Sequence, residues 1–240
     1  LASAVPQFLL SVVADPLASV VLPALSRGDQ TSFAARARGT MLLMSIAGGG
    51  LLLLVVGTSP VWLHILVSSG APDRAALQST LIWLVPGTLS VFLSSTLRIA
   101  CYARDGFVAP AASSAAAAGL GLLSVPLVLG ASSANPLTVA FNVRFIAEML
   151  LLISCVPIRM VGATDLGWAR QISREVRSVF AGALILRSDT LVDRIVASQL
   201  RPGALSLYNL AFTVLAAIGQ ILNRGLVTPR TPALSRCAGD

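Results

Sequence analysis

The 240-residue sequence contains no lysine, a single histidine, His64, and only three cysteines, Cys101, Cys155 and Cys237. Without lysine there is no phosphate-binding loop of the GxxxxGK type, so we expect that the chain does not hydrolyse ATP by itself. One histidine is too few for a histidine-based metal site or catalytic dyad, and the distant cysteines have neither zinc-site nor disulfide-framework spacing. These absences argue against an enzyme and predict no catalytic residues, no metal and no cofactor.

Charged residues are also scarce. They make up 11% of the chain, against about 25% in an ordinary soluble domain. Hydrophobic residues account for 55% and the mean hydropathy is +0.84. A chain of this length cannot bury so much apolar surface in a core, so the surface of the folded protein must be apolar too. The composition therefore excludes a soluble globular enzyme, a disordered protein and a nucleic-acid-binding domain, and it predicts a membrane protein.

Seven apolar stretches approach the roughly 20 helical residues that cross a bilayer core. Alternation of period two is absent, and lipid requires a backbone that satisfies its own hydrogen bonds, so these stretches predict helices. The predicted fold is an all-α, polytopic membrane bundle. Its predicted transmembrane spans are Val5–Leu25, Gly39–Gly57, Leu77–Ile99, Pro110–Gly130, Leu137–Pro157, Val179–Gln199 and Leu205–Leu226.

The number of arginines alternates between high and low from one connection between predicted spans to the next. One set of connections and span ends holds Arg27, Arg36, Arg38, Arg98, Arg104, Arg159, Arg170, Arg174, Arg177, Arg224, Arg230 and Arg236. The other connections hold only Arg74 and Arg201. The positive-inside rule places the arginine-rich side in the cytoplasm. The odd number of spans and an apolar opening at Leu1 lead us to expect a piece of a longer protein.

The pentapeptide PALSR occurs at Pro23–Arg27 and again at Pro232–Arg236, each time at the cytoplasmic end of a predicted span. Parallel repeats of this kind are a transporter architecture. We therefore predict an incomplete N-terminal lobe over residues 1–161 and the first two helices of a second lobe over residues 178–240. The polar stretch Gly162–Arg177 between them predicts a short amphipathic helix on the inner headgroups, with its arginines facing anionic lipid. An ordinary solvated linker is the alternative.

Away from the arginine-rich span ends, seven charged residues fall inside predicted spans, where a charge is costly unless it faces a cavity or a partner. They are Asp15, Arg144, Glu148, Arg187, Asp189, Asp193 and Arg194. An arginine in a cleft suits phosphate, because its planar fork binds oxygens bidentately. We therefore predict that the three arginines bind substrate in a cleft. The four carboxylates are predicted to couple an ion or a proton, or to serve as charge partners.

Structural interpretations compete with these roles. Arg144 and Glu148 are four residues apart and are able to form a purely structural pair on one helix face. Arg187 and Arg194 share one direction on their helix, and Asp189 and Asp193 share another, which also suits pairing with neighbouring helices. Asp15 precedes Pro16, so a simple kink competes with a cation or proton site there.

The segment Val192–Asn209 (VDRIVASQLRPGALSLYN), followed by PALSR, resembles the seventh and eighth helices of the MurJ (MviN) lipid II flippases in the MOP superfamily. The matching positions are Asp193, Arg194, Ala197, Ser198, Leu200, Pro202, Gly203 and Ser206. Tyr102–Ala111 (YARDGFVAPA) is similar to the family's connection between its fourth and fifth helices. The chain can be laid over helices two to eight of a protein about twice as long.

The resemblance implies alternating access between two lobes and transport of an undecaprenyl-pyrophosphate-linked cell-wall precursor across the bacterial cytoplasmic membrane. The implied partners are that lipid-linked glycan, membrane lipids and a coupling ion, with no nucleic acid. Positions at which the family carries basic cleft residues correspond here to Leu10, Ser11 and Thr213. Three alternatives therefore stay open: a flippase for another lipid-linked glycan, a degenerate scaffold that transports nothing, and a drug or ion antiporter that depends on Asp15.

Overall fold

The computed structural model describes residues 4–27, 30–61, 74–129, 136–156, 162–199, 204–222, 230–232 and 234. Within these residues the fold is all-helical and contains no strand, which confirms the predicted all-α class. The long helices are α1 (Ala4–Ser26), α2 (Gln30–Gly57), α3 (Arg74–Tyr102), α4 (Val108–Leu129), α5 (Pro136–Cys155), α6 (Leu166–Gln199) and α7 (Ala204–Leu222). Each predicted span overlaps one of these helices.

Four helices in the described part of the chain are long and apolar enough to cross a membrane. The qualifying segments are Ser32–Gly57 of α2, Ala75–Tyr102 of α3, Val108–Val128 of α4 and Pro136–Cys155 of α5. Helices of this kind indicate a multi-pass membrane protein. That α1, α6 and α7 also cross the membrane stays a prediction, because only shorter apolar segments occur in α1 and α7, and α6 carries more charge.

Helices α1, α2 and α3 pack against one another and supply most of the core. Helices α2 and α3 approach closely where a Cβ added to Gly48 would lie 2.7 Å from the ring of Phe92, which is itself 1% exposed. Small residues allow helices to approach closely in lipid, where packing drives their association. Gly48 therefore fixes the distance between α2 and α3.

Helix α5 lies between α3 and α4 and packs extensively against both. Two small residues of α4 lie on its covered side: Ala117 is fully buried, and a Cβ on Gly121 would lie 2.9 Å from the Cβ of Arg144 on α5. On the other side of α4, Leu122 and Leu127 are 74% and 76% exposed. An exposed leucine face on a membrane-length helix is a surface suited to lipid.

Helix α6 covers most of Gly162–Arg177, the stretch for which the sequence predicts a short amphipathic helix. The structure continues a single helix of 34 residues from Leu166 through the predicted boundary at residue 177 to Gln199. The first half of α6 packs against α1 and α2, and its residue Ile172 is 1% exposed. Its apolar side therefore rests on protein. Helix α7 packs against α6 in the described structure, and its Leu207, Leu215 and Ile221 are exposed.

Candidate functional site

Four of the predicted site residues have side chains outside the described part of the structure. They are Asp15, Arg187, Asp189 and Arg194, whose backbones belong to α1 and α6. Their assignment to a substrate cleft or to ion coupling stays a prediction. The other three, Arg144, Glu148 and Asp193, are described and lie in different surroundings.

Glu148 forms an ion pair with Arg98, on the neighbouring helix α3. Arg98 donates from Nη2 to Oε1 of Glu148, whose side chain is fully buried, while the Arg98 side chain is 16% exposed. The interpretation of Glu148 as the local partner of Arg144 is therefore wrong. The structure turns Glu148 toward α3, where Arg98 lies one helical turn before the end of that helix.

The Arg98–Glu148 pair leaves one atom on each side without a partner. Arg98 Nε and Glu148 Oε2 are both buried and make no hydrogen bond. Removing one member of a buried pair is costly, because the other charge is then left without compensation. The pair therefore ties the arginine-rich ends of α3 and α5 together.

Arg144 and Asp193 are both exposed. The guanidinium carbon of Arg144 lies 5.0 Å from the ring centre of Phe145, its neighbour in sequence. Asp193 accepts a hydrogen bond of 3.2 Å from the hydroxyl of Tyr208. Asp193 therefore joins α6 to α7, and its role in ion coupling or charge pairing stays a prediction.

Buried hydroxyls on α3 do not form a ligand site. Thr88, Ser90, Ser94 and Thr96 are all buried, and each donates to a backbone carbonyl of the preceding turn at 2.8–3.2 Å. Such bonds within one helix satisfy the hydroxyl donor locally. The polar side of α3 is thus compatible with burial in an apolar bundle.

Asn142 of α5 bridges α3 next to Pro86. Its Nδ2 donates to the carbonyl of Trp83 at 2.6 Å, and its Oδ1 accepts from the amide of Gly87 at 2.8 Å. In a regular helix the amide of Gly87 would donate to the carbonyl of Trp83, four residues earlier. A proline such as Pro86 disturbs this pattern of backbone hydrogen bonds. A Cβ on Gly87 would lie 2.5 Å from Oδ1 of Asn142, so the bridge requires glycine there.

The first turns of α2 and α6 are joined at the arginine-rich end. The amide of Asp165 donates to the carbonyl of Ala35 at 3.2 Å, and its carboxylate caps α6 by accepting from the amide of Trp168 at 2.8 Å. Trp168 in turn donates from Nε1 to Thr40 at 3.2 Å. A Cβ on Gly39 would lie 2.7 Å from the carbonyl oxygen of Asp165, so glycine is required at this contact.

Several arginines at this end are committed to contacts within the chain. Arg38 donates from Nε and Nη2 to the carbonyl of Ala163 at 2.9 and 2.7 Å. Arg36 lies 4.9 Å from the ring centre of Trp168, and Arg104 lies 4.2 Å from that of Phe33. These contacts bring the ends of α2, α3 and α6 together.

Arg170, Arg174 and Arg177 differ from these arginines. All three are exposed on the first half of α6, and in the described part of the chain none of their guanidinium groups has an ion pair, hydrogen bond or ring contact. The described residues also contain no group of histidine, cysteine, aspartate or glutamate side chains that suits a metal ion.

Comparison with protein-family models, with curated proteins and with solved structures finds no match to this chain. The candidate site is therefore interpreted from its geometry alone. Sequence reasoning missed two of its features, the partnership of Arg98 with Glu148 and the bridge made by Asn142. A lone asparagine in an apolar span and a proline in the middle of another were the available signals for the bridge.

Proposed function

We propose that this chain is part of a MurJ-like flippase of the bacterial cytoplasmic membrane. The transported molecule is an undecaprenyl-pyrophosphate-linked cell-wall precursor of the lipid II type. On this proposal all seven helices cross the membrane. Residues 1–161 belong to one lobe, residues 178–240 begin a second, and α6 connects the two. The arginine-rich end lies in the cytoplasm.

The observation that carries the proposal is the segment Val192–Ser206, which resembles the junction between the seventh and eighth helices of that family. This segment links α6 and α7, and its Asp193 is bonded to Tyr208 of α7. Four membrane-length helices support the membrane setting. Alternating access between two lobes then moves the pyrophosphate through a polar cleft, which the polyprenyl chain of the lipid need not enter.

ATP hydrolysis by this chain does not supply the energy for this transport. Because no lysine is present, there is no GxxxxGK loop to hold ATP. A membrane potential, an ion gradient or the gradient of the substrate itself then drives the cycle. Three arginines are proposed as cleft cations: Arg187, Arg194 and Arg144. Four carboxylates are proposed as coupling groups or charge partners: Asp15, Glu148, Asp189 and Asp193.

The test uses the full-length gene that contains this chain, expressed in bacterial cells depleted of their own lipid II flippase. The proposal expects restored growth and restored export of precursor. It also expects the double variant Arg187→Ala/Arg194→Ala to lose rescue, while Arg230→Gln, which removes an exposed charge outside the spans, keeps it. Failure of the unchanged gene to rescue, although it is present in the membrane, contradicts the proposal.

A degenerate scaffold of the same fold is the second candidate. It is favoured by the apolar or uncharged residues Leu10, Ser11 and Thr213 at positions where the family carries basic residues. It predicts that the Arg187→Ala/Arg194→Ala variant behaves like the unchanged protein in every transport assay.

A further inference from the structure

Helix α3 divides at Pro86 into a first segment, residues 74–85, and a second segment, residues 87–102. Most residues of the second segment are buried, and its Phe92 and Leu97 belong to the core cluster that α3 shares with α1 and α2. Among the described side chains of residues 75–84, only Leu81 and Leu84 are buried, and neither belongs to that cluster. The core therefore fixes the second segment and leaves the first segment less constrained.

The helices that follow the first segment also lie largely outside this core. No described residue of α4 contributes to the core cluster, and α5 contributes only Leu152, close to its end at Cys155. Helix α4 packs mainly against α5, and α5 packs against α3 and α4. Movement of the first segment of α3 therefore leaves the core packing intact.

The backbone hydrogen bonds of α3 are interrupted between its two segments. Pro86 has no amide hydrogen, so the carbonyl of Ile82 loses the donor that a helix normally provides. The next two groups along the helix, the carbonyl of Trp83 and the amide of Gly87, are bonded by Asn142 of α5 at 2.6 and 2.8 Å. One side chain from another helix thus spans the joint at Pro86, with one hydrogen bond to each segment.

The carbonyl of Trp83 and the amide of Gly87 have two ways to be satisfied. Both bond to Asn142 in this structure, whereas in a regular helix the amide of Gly87 donates directly to the carbonyl of Trp83. The two arrangements give α3 different directions at Pro86, because sharp bends in helices occur where a proline or an inserted side chain interrupts the backbone bonds. Asn142 is half-buried and its bond to Trp83 is exposed, so this side chain has room to leave.

We propose that Asn142 is the clasp of a two-state joint in α3. In the closed state, Asn142 bonds to Trp83 and Gly87, as in this structure. In the released state, Gly87 donates to Trp83 and the first segment takes a new angle to the core. Release changes the spacing of the helices at the arginine-poor end of α3, while Arg98 and Glu148 keep the other end fixed. The joint does not depend on the proposed transport, because it is built from the contacts of α3 and α5 alone.

The test measures a distance across the joint by electron–electron double resonance in the full-length protein that contains this chain. All native cysteines are replaced by serine. Spin labels are attached through Leu53→Cys on α2 and Ala76→Cys on the first segment of α3, both at exposed positions. A change of about 20° in the direction of α3 moves Ala76, which lies roughly 15 Å along the helix from Pro86, by about 5 Å.

Asn142→Leu keeps the side-chain volume and leaves only the released state. It is therefore expected to shift the main distance between the labels by about 5 Å. Pro86→Ala is expected to shift this distance in the same direction, because alanine supplies the missing amide and favours the regular helix. The double variant is expected to add little to the shift of Asn142→Leu, since both changes act on one joint.

The matched control pair lies on the arginine-rich side of the joint, at the exposed positions Leu42→Cys on α2 and Val108→Cys at the start of α4. Its distance is expected to stay the same in every variant. An equal shift in the control pair overturns the proposal, since the whole bundle has then loosened.

An unchanged distance across the joint in Asn142→Leu overturns the proposal even if the thermal unfolding midpoint falls, because a purely structural tie has that effect. Unchanged far-ultraviolet circular dichroism and gel-filtration volume verify that each variant is folded. If Asn142→Leu does not fold, Pro86→Ala decides alone, and an unchanged distance in that variant overturns the two-state joint.

Discussion

The side-chain amide of Asn142 is hydrogen-bonded to the backbone amide of Gly87, across the interface between α5 and α3, at 2.8 Å. The same side chain also reaches the carbonyl of Trp83, so one residue serves both backbone groups beside Pro86. The bridge fixes α3 to α5 at the point where Pro86 interrupts the backbone hydrogen bonds of α3. Farther along the same two helices, Arg98 and Glu148 form a second tie.

Asn142→Leu is expected to destabilise the protein, since it removes both hydrogen bonds and keeps the side-chain volume. We expect a loss of about 1–3 kcal/mol, since two hydrogen bonds are lost at about 0.5–1.5 kcal/mol each. The measurement is the thermal unfolding midpoint in detergent. In a Pro86→Ala background the same change is expected to cost less, because the backbone of α3 is then free to form its regular bond. An equal cost in both backgrounds contradicts the role given to Asn142.

Gly87→Ala is expected to destabilise the α3–α5 interface. The new Cβ would lie 2.5 Å from Oδ1 of Asn142 and 2.8 Å from the ring of Phe141. Overpacking of this kind costs about 1–3 kcal/mol. The matched control is Gly119→Ala on α4, where no atom lies within 4 Å. There the change is expected to be neutral or to stabilise, because alanine favours the helix by up to about 1 kcal/mol. Similar midpoints for the two variants would refute this account of the close approach.

Glu148→Ala is expected to destabilise strongly, because it leaves the charge of Arg98 largely buried without a partner. The expected cost is about 3–5 kcal/mol, typical of a broken buried pair. Arg144→Ala on the same helix serves as the control and is expected to change stability little, since Arg144 is exposed. The exchanged pair Arg98→Glu/Glu148→Arg is expected to recover part of the loss. A larger effect for Arg144→Ala than for Glu148→Ala contradicts the observed pairing.

Asp165→Ala is expected to loosen the start of α6, since the carboxylate caps the helix by accepting from the amide of Trp168. Loss of such a cap costs about 0.5–2 kcal/mol. Hydrogen–deuterium exchange of the first turns of α6 is the measurement, and faster exchange there is the expected result. Asp165→Asn keeps an acceptor and is expected to protect the same amides better. Unaltered exchange in Asp165→Ala shows that the cap is dispensable.

The helices were predictable because apolar length determines them. The runs Pro110–Gly130 and Leu137–Pro157 predict α4 and α5, and the structure begins and ends these helices within two residues of those bounds. The continuity of α6 was missed because a change from polar to apolar composition near Val179 was taken as a boundary. No proline separates Leu166 from Gln199, which was the signal for one helix.

The partners within the site were harder to predict, because they join residues far apart in the chain. Periodicity on a single helix pairs Glu148 with Arg144, since both lie on one face. Only the packing of α3 beside α5 brings in Arg98, fifty residues earlier in sequence. Likewise, the composition of Gly162–Arg177 predicts an amphipathic helix, but it cannot tell whether the apolar side of that helix meets lipid or, as observed for Ile172, protein.

The most direct test of the account is the amount of lipid-linked precursor that reaches the outer leaflet. In cells whose only flippase is the full-length protein containing this chain, the precursor is measured with a membrane-impermeant enzyme that cleaves its exposed glycan from outside. The account predicts cleavage near the level of cells with their own flippase, and a fall to the depleted background in Arg187→Ala/Arg194→Ala. Precursor that stays uncleaved while the unchanged protein is present and folded in the membrane contradicts it.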